Sequence, residues 1–247
     1  MEGMLKLYSP INELKQIGED IWIVDGNEIH MSFKLFKVPF TTRMTIVKID
    51  NNKLWIHSPI AFNKELNDKI KELGDIEHII APNKYHYSYV LDWYNHYPNA
   101  KVWLAKGVST KLKIDERENF VSLDNISKTS WSEEIYFTPF KGSIAMEEMV
   151  FFHKKSSTLI LTDLIESIEV NKLPLLYKLV FKFGDNKYPK FRTSRDLRSS
   201  FILKKQAKDS YSKIESWKPD KIVFSHGKII LENGTEKLKE AFYWLRK

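Results

Sequence analysis

The chain has 247 residues, 43% of them hydrophobic and 29% charged, with no cysteine and a formal net charge of +7. This apolar content supports a packed core and excludes a largely disordered chain, while the lack of cysteine excludes disulfides, thiolate metal ligands and a cysteine nucleophile. No apolar run approaches the roughly 20 residues of a membrane span, and no secretory leader pattern is present, so the expectation is a cytoplasmic protein that is not integral to a membrane.

In chain order, Ile21–Asp25 reads as a strand ended by Gly26. Arg43–Ile49 runs into the polar turn Asp50-Asn51-Asn52, and Lys53–His57 returns, which predicts a hairpin broken off by Ser58-Pro59. Leu66, Ile70 and Leu73 share one face of a helix predicted over Asn63–Leu73, with Gly74 as its stop. Glu77–Ala81 is a strand ended by Pro82, Ser88–Tyr97 a helix closed by Pro98, and Lys101–Ala105 a further strand. Strands follow at Glu134–Thr138, Met149–His153 and Ser157–Thr162. Leu175–Phe183 is an apolar helix candidate carrying Lys178 and Lys182, suited to a lid, a partner contact or a membrane surface. The 3–4 spacing of apolar residues predicts one long helix over Ser194–Trp217. Lys221–Ser225 is the last strand and Thr235–Arg246 the last helix. Early meanders followed by strand–helix alternation place the chain in the α/β (α+β) class, with helices covering sheets.

Charge is concentrated between Lys172 and Lys208, where eleven Lys/Arg face only Asp185 and Asp196. Such a patch attracts anions. Lysine outnumbers arginine throughout, however, and arginine is the residue that forks phosphate, so nucleic acid is a weak expectation. The oligomeric state is not readable.

Four histidines and one aspartate sit at or just past apolar strand-like runs: His57, His86, His153, His226 and Asp163. Strand ends on one sheet edge converge, and imidazole with carboxylate binds zinc or iron or does acid–base work near neutrality. His30, His78 and His96 lack this context and are assigned to surface or packing. No Gly-rich phosphate loop, G-x-S-x-G elbow or H-E-x-x-H is present.

The blocks TTRMTIVKI (41–49), LWIHSPI (54–60), HIIAPNKYH (78–86), EMVFFHKKSSTLILTDL (148–164) and SWKPDKIVFSHG (216–227) resemble the metallo-β-lactamase-like superfamily. Within it they are most similar to an uncharacterised branch, domain of unknown function 4336. The resemblance implies an αββα sandwich over 1–247, with a basic helical insertion at about 172–208 and a site at one sheet edge. It matches Asp163 to the superfamily's metal-bridging aspartate and His226 to its last histidine. Where catalytic members carry H-x-H-x-D-H, this chain has Asn83-Lys84-Tyr85-His86-Tyr87, so only His86 can ligate. No histidine stands in Pro139–Ser143 either. Lys84 puts a cation where a ligand belongs, which disfavours a two-metal cage.

Two readings remain open. In the first, one zinc or iron is held by His86, Asp163 and His226, with His57 or His153 as a further group and Glu148 as a base, making a metal-dependent hydrolase-like enzyme. In the second, no metal is bound, and a non-catalytic descendant of the fold holds a small anionic molecule or a protein partner. Asp163 then orients a histidine, and Arg43, Asn83 and Lys84 lie at the ligand.

Overall fold

The computed structural model describes residues 5–33, 36–114, 119–124, 126, 128–174, 178 and 184–246. Strands β1 (Lys15–Gly18), β2 (Ile21–Phe33), β3 (Phe36–Ile49), β4 (Lys53–His57), β5 (Asp75–Ala81), β6 (Lys101–Leu104) and β7 (Phe120–Ser122) lie side by side in that order. The first four pair antiparallel, and β4 to β7 are parallel. A second sheet has the order β11-β10-β9-β8, from β8 (Ile135–Phe140), β9 (Glu148–His153), β10 (Thr158–Ile160) and β11 (Lys221–Val223). Here β8, β9 and β10 are antiparallel, and β10 and β11 are parallel.

The period-2 rule of strands shows how the sheets are covered. Along β9, Met149 and Phe151 join Trp55, Trp131 and Met44 in the core between the sheets, while Val150 and Phe152 face the other way. On that outer face they meet α5 (Lys204–Glu215) and α6 (Gly234–Ala241) through Ala207, Tyr211, Ile214, Leu238 and Ala241. Helices α1 (Lys64–Leu73) and α2 (Val90–His96) pack Leu66, Ile70, Val90 and Trp93 against the first sheet. Two short helices, α3 (Val108–Leu112) and α4 (Arg195–Ser199), are also present. The Asn63 side chain caps α1 by accepting from the Leu66 N–H at 2.9 Å, and Gly74 ends the helix, as the sequence pattern predicts.

Three features differ from the expectations. Strands β2 and β3 run well beyond Asp25 and Arg43, forming a long hairpin whose far part walls a cavity. The single helix expected over Ser194–Trp217 is two helices. Between them Leu203 N–H donates to Gly142 carbonyl and Phe201 bridges Ser143, so Phe201 inserts edge-on against Phe140. Ser200 Oγ bonds back to Leu197 carbonyl at 2.6 Å, a local bond that competes with continuing a helix. The basic segment is also partly neutralised, since Lys190 and Arg198 pair with Asp185 inside it and Arg192 pairs with Glu240 outside it. Apart from Lys178, the expected 175–183 helix lies outside the described residues.

Two buried histidines make stability pH-dependent. His78 accepts from Trp103 Nε1 at 3.2 Å, and His153 contacts Ser156 Oγ at 2.7 Å. Burial pushes each imidazole down to about 4 from the ordinary 6.5. The unfolded chain then binds these protons first, so stability falls as pH drops from about 6.5 towards 4, by up to about 1.4 kcal/mol per unit for each imidazole. The raised carboxyls of Glu148 and Glu166 pull the other way, so the assignment is tested by comparison: between pH 7 and pH 5 the urea midpoint of His153→Gln is expected to fall less, or rise more, than that of the wild type. The same shift in both proteins would contradict this assignment.

Candidate metal centre

Strands β4, β5, β10 and β11 end on one rim because each sheet's parallel strands point the same way. The segments after them carry Ser58, His86, Asp163 and His226. After β5, Pro82 stops the strand. Asn83 Oδ1 accepts from the N–H groups of Tyr85 (2.8 Å) and His86 (3.1 Å), a side-chain turn that brings His86 back over the sheet edge.

His86 Nε2 lies 3.1 Å and His226 Nε2 3.2 Å from the same oxygen, Asp163 Oδ1. The three candidate ligand atoms all fall within 4.8 Å of one another. The other Asp163 oxygen is held by Asn83 Nδ2 at 2.8 Å. Behind it the buried Glu148 accepts from the N–H groups of Thr162 (2.6 Å) and Asp163 (2.9 Å). Burial, and then the neighbouring Asp163 carboxylate, push the Glu148 carboxyl up to about 7. Asp163 itself is held well below the usual carboxylate range, because the attraction of the two imidazoles outweighs its burial.

The orientation of His226 decides what the cluster can hold. Its Nδ1 sits 2.9 Å from Thr41 carbonyl, which only accepts, so Nδ1 carries the hydrogen. Nε2 is then the ring atom turned to Asp163: an imidazolium donates from it to the carboxylate, and a neutral ring offers its lone pair to a cation held between the two. His86 Nδ1 contacts Ser58 Oγ at 2.8 Å, a hydroxyl able to accept in the same way. Two imidazole nitrogens and one carboxylate oxygen, each fixed from behind, form a donor set that fits one zinc or iron ion.

Arg43 secures the turn that carries His226. Its Nε (2.8 Å) and Nη2 (2.7 Å) both reach Asp25 Oδ1, and Nη1 donates to the carbonyls of Phe224 (2.7 Å) and Gly227 (2.9 Å). Gly227 has φ +106°, and a Cβ there would meet Ser167 carbonyl at 2.1 Å, so only glycine fits this pass.

The remaining candidates are spread more widely. His57 is enclosed in the inter-sheet core, stacked on Trp55 and edge-on to Phe151, and burial with the nearby His86 pushes it down to about 3. His153 lies at the far end of β9, because that strand runs antiparallel to β10 and so away from the rim. Glu148, at the start of the same strand, is on the site side but faces backbone N–H groups and lines neither cavity described below. All three nitrogens of the Arg43 guanidinium are engaged by protein groups.

A cavity of ≈380 Å³ opens on one side of the cluster, reaching His86 and His226 and lined also by Lys84, Lys111 and His30. A smaller one of ≈170 Å³, on the other side, holds Asp163, Glu166 and Asp196. The sequence reading missed Glu166, Lys111 and the cavity position of His30. Glu166 stands three residues past Asp163, a spacing that by itself signals nothing. It accepts from Asn186 Nδ2, and burial pushes it up to about 7.

Solved structures share this architecture. A DIM-1 metallo-β-lactamase superposes with a TM-score of 0.63 at 12% identity, covering 97% of this chain and 100% of that one. A metallo-β-lactamase from Pontibacter korlensis gives 0.59 at 10% identity, covering 98% and 100%. The mono-zinc form of FIM-1 from Pseudomonas aeruginosa gives 0.55 at 11% identity, covering 92% of each chain. No curated protein matches the chain in sequence. The family described as Domain of unknown function (DUF4336) matches residues 19–200, the stretch that carries Arg43, Asn83, His86, Glu148 and Asp163. The chain is thus a metallo-β-lactamase-like fold and belongs to the DUF4336 family.

Proposed function

We propose that this protein is a hydrolase-type enzyme dependent on one divalent metal, zinc or iron, held by His86, Asp163 and His226. The observation that carries it is the convergence of two Nε2 atoms on one Asp163 oxygen, with the His226 ring held by Thr41 carbonyl through Nδ1 so that Nε2 is the atom presented to the cluster. The mono-zinc form of FIM-1 is an instance of this fold with one zinc bound. A divalent ion bound there supplies Lewis-acid polarisation and a water of lowered pKa.

The chain's own groups do the rest. Asn83 fixes the Asp163 carboxylate, Glu148 holds the Asp163 backbone N–H, and Thr41 carbonyl and Ser58 hydroxyl fix the two rings. Glu166, with its pKa raised by burial, is the carboxyl beside the cluster suited to holding or releasing a proton near neutrality. A small molecule enters through the wider cavity. His57 stays neutral under the rim and His153 takes no part.

Chelator-treated full-length protein is expected to take up about one equivalent of zinc or ferrous iron per chain. It should then hydrolyse members of an ester, lactam and phosphoester panel that the chelated protein leaves intact. Uptake far below one equivalent, or equal hydrolysis with and without metal, would contradict the proposal.

A further inference from the structure

Charge is divided unevenly around the cluster. Phe40, Tyr85 and His226 line both cavities and so form the partition between them. On one side stand Asp163, Glu166 and Asp196. On the other, Lys84 and Lys111 bring two ammonium groups to the cavity from the loop after β5 and from α3. Among the described residues no carboxylate lines that side, and neither ammonium has an ion-pair partner. Lys84 lies over the Tyr85 ring at 5.5 Å instead.

The lysines and the histidines share this cavity with an aromatic lining of Phe40, Tyr85, Tyr87 and Tyr89. Burial raises Tyr85 and Tyr89 above the ordinary phenol value, so their hydroxyls remain neutral donors. Unpaired cations in a concave, partly apolar site focus positive potential, and neutral phenols add hydrogen-bond donors and ring faces without opposing it. The acidic side repels the same ligand.

We infer that the wider cavity is a subsite for the anionic end of an aromatic or planar organic acid or phosphate ester, gripped by Lys84 and Lys111 and packed on the tyrosine wall. It rests on the proposed function only for which end of the ligand reacts, since the end beside His86 and His226 is the one presented to the metal ligands. Lysines suit this role as mobile point charges, so the site takes either carboxylate or phosphate and has no fork geometry to tell them apart.

The test titrates phenylphosphonate into chelator-treated and dialysed full-length protein, so that no metal contributes, and follows intrinsic fluorescence. Phenylphosphonate is expected to bind at least about tenfold more tightly than its neutral dimethyl ester and than inorganic phosphate. Lys84→Ala/Lys111→Ala is expected to lose at least about tenfold, Lys84→Arg/Lys111→Arg to recover most of it, and Asp163→Asn to bind at least as well as the wild type. Circular dichroism confirms that each variant is folded. Equal affinity for the neutral ester, or undiminished binding by the double alanine variant, would overturn the inference. Probe binding that persists in a wild type unable to take up metal would refute the metal reading alone and leave this subsite standing.

Discussion

Replacing Asp163 by asparagine is expected to reduce metal affinity by at least about 100-fold while leaving the fold in place. Loss of a partner that merely orients a ligand already costs roughly 10–100-fold, and here the ligand itself loses its charge. The amide keeps the shape of the carboxylate, and its outer atom stays beside Asn83. It removes the one negative charge on which both imidazoles converge. Calorimetric titration of zinc into the wild type and Asp163→Asn, with circular dichroism as a check on folding, measures the difference. Affinities within about threefold of each other would mean that the carboxylate is not a ligand.

Arg43→Ala is expected to cost about 3–5 kcal/mol of stability, the range found when one partner of a buried ion pair is removed. Arg43 is 4% exposed and Asp25 3% exposed, so water does not readily replace the lost bonds. Asp25 retains Lys15 at 2.7 Å, but the carbonyls of Phe224 and Gly227 lose their side-chain donor. Lysine is not expected to rescue the variant, because one ammonium cannot hold Asp25 and reach both carbonyls. Because the freed turn carries His226, metal affinity should fall as well. Urea denaturation decides the point. A loss under about 1 kcal/mol would show that the network is dispensable and would reopen a ligand-binding role for Arg43.

The readability of the site follows strand direction. His86, Asp163 and His226 stand out in sequence because they follow apolar strands, and in parallel neighbours such positions share a rim. His153 carries the same local signal in MVFFH, yet β9 runs against β10 and puts it on the opposite side. Pairing direction is a long-range property that no single strand encodes. Arg43 shows a second limit: residue type suggests an anion contact, which Asp25 provides, but its other partners, the carbonyls of Phe224 and Gly227, are backbone atoms some 180 positions away. Thr41 carbonyl, which sets the His226 tautomer, is likewise invisible in side-chain chemistry. Lys111 and Glu166 enter through packing of α3 and of the segment after β10, with no motif to announce them. The long-helix reading of 194–217 failed because apolar spacing persists across the break at Phe201, where the chain bonds to residues 142–144 instead.

Zinc K-edge X-ray absorption on the reconstituted full-length chain tests the coordination most directly. The expected shell contains two imidazole nitrogens and one carboxylate oxygen, with one imidazole lost in His86→Ala and one in His226→Ala. A shell of light atoms without imidazole scattering, or one unchanged by either substitution, would contradict it.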